Sequence, residues 1–168
     1  MCLFQLAAPA SIAWRQERTL ARGAAFRFQT APVDPYDAFR GRYVALSFRD
    51  NLPILPKGTT LAPGAKVYAP IEVGADGFAR FGEVLLTPPE GKPYLTLRLS
   101  ERFSTQGLPL PFDRFYLEET KAPAAEVIYR KHARDRDAWL VVRILDGDWA
   151  IEDLFVGGKP IREAIAGP

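Results

Sequence analysis

WLVVRILDGDWAIEDLFV, residues 139–156, is the stretch of sequence that decides the fold. Two apolar runs, Trp139–Leu145 and Trp149–Val156, enclose Asp146-Gly147-Asp148. Asp-Gly between apolar runs is among the strongest short-range signals for a β-hairpin. A second turn at Gly157-Gly158 indicates one more short strand near residues 160–161. The C-terminal part of the chain is therefore predicted to be antiparallel β-structure.

Further strands are predicted upstream, because apolar side chains alternate with polar ones between turn residues. In Tyr43–Phe48 the alternation places Val44, Leu46 and Phe48 on the expected core face. Gly74-Ala-Asp-Gly77 has the chemistry of a hairpin turn between two strands. The first predicted strand of this region begins at Ala24. The others are Tyr43–Phe48, Ala65–Val73, Phe78–Leu86, Tyr94–Leu99 and Phe112–Leu117.

One internal helix is predicted from Pro123 to Arg134, since proline is tolerated in a first helical turn. We expect Ala124, Val127 and Ile128 to form its buried face. The charged residues between 130 and 137 are interpreted as the solvated end of this helix, where cations face the negative end of the helix dipole.

Composition excludes several classes of protein. The 168 residues suit one domain, and 48% hydrophobic with 25% charged residues is typical of a folded chain. The net charge is only +2 and no basic run stands out, so nucleic acid is not an expected partner. A single cysteine and a single histidine predict neither a disulfide framework nor a metal centre, and no cofactor motif occurs. Fifteen prolines and 13 glycines among many aromatic residues are typical of short strands joined by turns.

The N-terminal segment is uncharged from Cys2 to Trp14 and then continues with Arg15, Arg18 and Arg22. Thirteen helical residues reach about 20 Å, whereas a bilayer core is about 30 Å thick, so this stretch alone cannot span a membrane. It is either the lower half of a longer anchoring helix or a buried terminal helix of a soluble fold. The predicted organisation is an anchor-like helix over residues 1–23 and a single β-rich domain over 24–168.

These patterns together predict a β-dominated α+β fold. The expected architecture is a mostly antiparallel, partly closed barrel or sandwich, with one internal helix and an N-terminal helix.

The region from Pro32 to Phe48 resembles the signature of the GDYXXLXY family of small bacterial proteins. Gly41-Arg42-Tyr43 and Leu46-Ser47-Phe48 follow its pattern, with Arg42 where the motif has Asp and Phe48 where it has Tyr. Residues 14–23 also resemble the family's juxtamembrane stretch. The resemblance favours a truncated transmembrane helix and an extracytoplasmic β domain. It implies a membrane protein or a multi-spanning region as the partner.

The expected function is that of a membrane-tethered, extracytoplasmic accessory or binding module. The alternative is a hydrolase or transferase that uses Glu118 or Glu119 with Arg114. Convergence of Asp34 and Arg40 with Arg114 and Glu119 on one concave site would favour the enzyme. No catalytic residue is assigned; the candidate binding residues combine charged and aromatic side chains of the motif loop and a later strand, and they are Asp34, Tyr36, Asp37, Arg40, Arg42, Tyr43, Arg114, Tyr116 and Glu119.

Overall fold

A computed structural model describes residues 3–32, 43–48, 51–59, 61–99 and 107–166, with side chains described from residue 10 onward. Nine strands and three helices occur in these ranges. In chain order they are α1 (Leu3–Arg22), β1 (Ala24–Gln29), β2 (Tyr43–Ala45), β3 (Lys66–Val73), β4 (Ala79–Phe81), β5 (Tyr94–Arg98), β6 (Arg114–Tyr116), α2 (Ala122–Arg134), β7 (Ala138–Leu145), β8 (Asp148–Val156), β9 (Lys159–Pro160) and α3 (Ile161–Ala166).

The strands form three antiparallel sheets, which confirms the predicted β-dominated α+β class. Their strand orders are β1-β7-β8-β9, β4-β3-β5 and β2-β6. Within the described ranges the sheets do not close into a barrel. The hairpin at Asp146-Gly147 is present as predicted, with φ values of 52° and 85° at the two turn residues. The second predicted turn leads into β9, which pairs with the end of β8.

The hairpin turn also holds the four-stranded sheet against β5. The amide of Thr96 donates a hydrogen bond to the carbonyl oxygen of Gly147 at 3.0 Å. A side chain at position 147 would collide with Thr96 and would lie 2.6 Å from the Tyr94 ring. Glycine is therefore required at this point both by its positive φ and by the close approach of β5.

The core between the sheets centres on Phe112, which precedes β6 and is 1% exposed. Its ring lies 5.4 Å from Phe28 of β1, 5.5 Å from Phe48 and 5.6 Å from Trp149 of β8. Phe28 in turn stacks on Phe81 of β4 at 5.2 Å. Aromatic rings at these separations pack favourably, so one cluster of rings joins the four-stranded and three-stranded sheets to the segments that flank β2 and β6.

Helix α1 packs against β7 and β8 of the four-stranded sheet. Its last turn contains Thr19, which is 2% exposed. The amide of Gly23 donates to the carbonyl oxygen of Thr19 at 2.8 Å, so the helix ends where the sequence predicted. A Cβ at position 23 would lie 2.5 Å from that oxygen and 3.0 Å from the backbone nitrogen of Ile144. Only glycine allows α1 to end so close to β7.

Helix α2 has the predicted position, but its predicted buried face was wrong. Val127 is 71% exposed and Ala124 is also exposed, whereas Ile128 is partly buried. The buried residues are Ala122, Ala125, Tyr129 and Ala133. Small side chains at this helical spacing let the helix backbone approach its neighbours closely, while Tyr129 fills the remaining space.

The prediction of a single internal helix was incomplete, because the short helix α3 follows β9 directly. Ile161 at its start is fully buried, and α3 packs against α2 and β8. As for membrane crossing, none of the helices in the described ranges combines enough length with enough apolar character to pass through a bilayer.

Candidate functional site

Three of the predicted site residues lie together on the two-stranded sheet. Tyr43 of β2 is directly opposite Tyr116 of β6, and their rings are 5.6 Å apart. The guanidinium carbon of Arg114 lies 5.1 Å from the centre of the Tyr43 ring, within the range of a cation–π interaction. The alternation of β6 puts Arg114 and Tyr116 on the exposed face and Phe115 in the core.

The charge of Arg114 is firmly maintained by its neighbours. Its pKa is raised above its ordinary value, first by the hydrogen bond with the Tyr116 side chain and then by the negative charge of Asp113. The Nε atom of Arg114 lies 3.7 Å from the Asp113 carboxylate. A permanent cation beside two tyrosine rings is chemically suited to contact an anionic or aromatic group, and it is not suited to proton transfer.

Glu118 and Glu119, the acidic residues of the predicted enzyme alternative, are both exposed in the segment between β6 and α2. The carboxylate of Glu118 pairs with the Lys121 ammonium at 2.9 Å. Its carbonyl oxygen accepts the amide hydrogens of Lys121 and Ala122, at 2.9 and 3.0 Å. Glu118 therefore has a defined structural role at the start of α2.

The motif-loop candidates Asp34, Tyr36, Asp37, Arg40 and Arg42 lie outside the described residues. The convergence of Asp34 and Arg40 with Arg114 and Glu119, which would favour the enzyme alternative, therefore stays a prediction. In the described ranges, no three His, Cys, Asp or Glu side chains are grouped so that they could hold a metal ion.

A groove of about 410 Å³ lies beside the exposed face of β6. Hereafter "the groove" means this cavity. Its walls come from α1, from β6 with the residues just before it, from β8 and from α3. The residues that line it are Gln16, Pro111, Asp113, Arg114, Phe115, Tyr116, Trp149, Ile151, Glu152 and Arg162.

The groove contains two of the predicted candidates, Arg114 and Tyr116, and several residues that sequence reasoning missed. Trp149, Ile151 and Glu152 were recognised only as part of a strand, and Arg162 was not singled out. These residues are brought to β6 by contacts far apart in the sequence, such as the packing of Phe112 on Trp149 at 5.6 Å. The feature that would have indicated this site is a half-buried tryptophan close to two arginines. These residues come together only in the folded chain, so the sequence alone does not show it.

The fold and this site define a β-rich α+β protein with a helical N-terminal arm and a groove at the edge of a sheet. The sequence model of the GDYXXLXY protein family matches residues 5–154, which is nearly the whole chain. The chain therefore belongs to the GDYXXLXY family, as the signature around Tyr43 predicted. No curated protein and no solved structure matches it.

Proposed function

We propose that this chain is a membrane-tethered, extracytoplasmic accessory or binding module, with α1 as its tether and the groove as its binding surface. The observation that supports α1 as a membrane tether is the exposure of apolar side chains on this helix. Ile12 is 66% exposed and Trp14 is 62% exposed. Residues two apart on an α-helix point to nearly opposite sides, so apolar side chains meet water on both sides of this turn, as expected where a helix enters an apolar layer.

The chemistry around Trp14 suits the boundary between a bilayer and water. Tryptophan is enriched at this boundary because its ring is apolar and its indole N–H is polar. The guanidinium carbon of Arg18 lies 5.9 Å from the centre of the Trp14 ring, and Arg15 follows Trp14 directly. Arg15 can reach lipid phosphates while the ring of Trp14 stays in the apolar layer.

The remainder of α1 is fixed to the domain. Arg18 forms an ion pair with Asp146 at 3.3 Å, and Arg143 donates a hydrogen bond to the carbonyl oxygen of Gly23 at 3.1 Å. Thr19 is buried between the helix and the sheet. The exposed turn around Trp14 is therefore held at a defined position relative to β7 and β8.

Fractionation of cells that express the complete gene product tests the tether. We expect the protein in the membrane fraction, released by detergent and retained after a high-salt wash. The double variant Ile12→Asp, Trp14→Asp should shift it toward the soluble fraction, because each carboxylate opposes burial in an apolar layer. Val127→Asp is the matched control, since Val127 is similarly exposed but lies on α2. Recovery of the unaltered protein wholly in the soluble fraction would overturn the tether.

The extracytoplasmic side of the proposal rests on the likeness to the family's juxtamembrane stretch and is tested separately. Alkaline phosphatase fused after Pro168 folds to an active form only where its disulfides can form. Activity in intact cells is the expected result. An inactive but stable fusion would place the domain in the cytoplasm and contradict this part of the proposal.

A further inference from the structure

Strand β8 has one edge that is only partly covered. On one side it pairs with β7 along its whole length, from Asp148 to Val156. On the other side β9 pairs only with Phe155 and Val156. Among the described residues no strand pairs with β8 on that side between Asp148 and Leu154. We call this stretch of backbone the open edge.

The register of the hairpin determines which backbone groups the open edge presents. In a two-residue hairpin the flanking residues, here Leu145 and Asp148, exchange both hydrogen bonds. The hydrogen-bonded pairs then alternate, so Ala150 bonds to β7 whereas the N–H and C=O groups of Trp149 and Ile151 point away from it. The open edge is the side of β8 away from β7, and Trp149 and Ile151 both line the groove.

The surroundings of the open edge leave room for one additional strand. Gln16 of α1 and Phe115 of β6 both line the groove. The groove has a volume of about 410 Å³ and opens to solvent. An exposed edge with unpaired N–H and C=O groups is a template for an extended peptide, which gains affinity from main-chain hydrogen bonds.

Most charges around the groove are already matched by a partner. Glu152 is paired with Arg143, whose Nη2 atom lies 3.2 Å from a Glu152 oxygen. Asp113 lies beside Arg114, with 3.7 Å between its carboxylate and the Nε atom. Neither carboxylate therefore leaves its full charge to repel an acidic ligand.

Among the described residues that line the groove, Arg162 is the cation that forms no ion pair. Its guanidinium carbon lies 5.9 Å from the centre of the Phe115 ring, and no carboxylate of the described residues lies within 4.0 Å of its guanidinium nitrogens. Burial raises the pKa of the Asp153 carboxyl while the charge of Arg162 acts to lower it, but the two groups do not form an ion pair. The positive charge of Arg162 can therefore pair with a carboxylate that enters the groove.

We propose that the open edge of β8 is a docking site that takes an extended, acidic segment of a partner protein as an added strand, with Arg162 pairing with a carboxylate of that segment. The main-chain groups of Trp149 and Ile151 supply the strand pairing, and the exposed parts of their side chains contact an apolar residue of the peptide. This inference deepens the binding-module half of the proposed function and does not depend on the membrane tether.

The test uses the whole chain in solution and two capped probe peptides of equal length. The acidic probe has the sequence Thr-Val-Glu-Val-Thr-Val, and the basic probe has Lys in place of Glu. Amide hydrogen exchange measured by NMR reports on each residue of β8. In the free protein we expect fast exchange at Trp149 and Ile151 and slow exchange at Ala150. The acidic probe should slow exchange at Trp149 and Ile151, and the basic probe should bind at least tenfold more weakly.

The variant Arg162→Gln tests the ion pair. It should weaken binding of the acidic probe about tenfold, as expected for a hydrogen-bonded charge, and should not weaken binding of the basic probe, because its lysine loses a like charge. Arg27→Gln is the control, because Arg27 is an exposed arginine of β1 away from the groove. Membrane fractionation of the Arg162→Gln protein should be normal, so failure of this site and failure of the tether are distinguishable.

Three results would overturn the inference. Slow exchange at Trp149 and Ile151 in the free monomer would mean that another part of the same chain already covers the open edge. Slow exchange that appears only as protein concentration rises, together with dimers in sedimentation, would make a second copy the occupant. Equal binding of both probes, or binding that leaves Trp149 and Ile151 exchanging fast, would remove the proposed recognition.

Discussion

Replacing Gly147 with alanine should destabilise the protein strongly, and the structure allows the two causes to be separated. Gly147 has a φ of 85°, a backbone conformation that residues with a Cβ rarely adopt. An added Cβ would also collide with the Thr96 side chain and lie 2.6 Å from the Tyr94 ring. The first cause is local to the turn, whereas the second depends on the contact between the hairpin and β5.

The size of each contribution follows from the geometry. Alanine in the left-handed region costs about 1–2 kcal/mol. Forcing a methyl group into a filled contact costs about 1–3 kcal/mol more, depending on how far the neighbours can move. Gly158→Ala is the matched control, because Gly158 has a φ of 78° and a Cβ added there would meet no atom within 4 Å. It should therefore show the conformational cost alone.

Urea denaturation at neutral pH measures both variants. We expect the free energy of unfolding to fall by about 1–2 kcal/mol in Gly158→Ala and by about 2–5 kcal/mol in Gly147→Ala. For a chain of this length the difference between the variants corresponds to a melting temperature lower by at least about 2–4 °C. Equal losses in the two variants would refute the close packing of β5 on the hairpin turn.

Two further predictions concern α2. Ala125→Leu should lower the free energy of unfolding by about 1–3 kcal/mol through overpacking, whereas Val127→Lys should change it by less than about 0.5 kcal/mol. Urea denaturation measures both variants. A larger loss in Val127→Lys than in Ala125→Leu would mean that the buried face is the one predicted from the sequence. Tyr129→Phe should leave the free energy of unfolding unchanged or raise it by up to about 1 kcal/mol at neutral pH, since the buried Tyr129 hydroxyl makes no hydrogen bond of good geometry to the described residues. Burial raises the pKa of Tyr129 above its ordinary 10.0, so the unfolded chain loses this proton first and stability falls above about pH 10. Unfolding at about pH 11 should show a smaller alkaline loss in Tyr129→Phe, and an identical loss in both proteins would contradict this.

Sequence reasoning succeeded where neighbouring residues determine the structure. The turn at Gly147 and the alternation of Val44, Leu46 and Phe48 are local patterns, and the structure has both. The buried face of α2 was mispredicted because hydrophobicity favours Val127, whereas close packing favours a small residue such as Ala125.

The candidate site was predicted only in part for a related reason. Arg114 and Tyr116 drew attention as a charged and an aromatic residue on one strand. The open edge of β8 depends instead on how many residues of β9 pair with it, which no local pattern determines. Arg162 belongs to α3, a helix of six residues that is too short to give a clear periodic signal.

The junction at Gly23 determines how the domain can move. A flexible linker of ten residues has a root-mean-square end-to-end distance of about 17 Å, so a domain on such a linker would change its position and orientation freely relative to its anchor. Here one residue joins Arg22 of α1 to Ala24 of β1, and the backbone of β7 lies against it. Rotation or tilt of α1 is therefore passed directly to the four-stranded sheet. In the tethered module proposed above, the groove would therefore face one fixed direction relative to the membrane, and a binding partner would have to approach from that side.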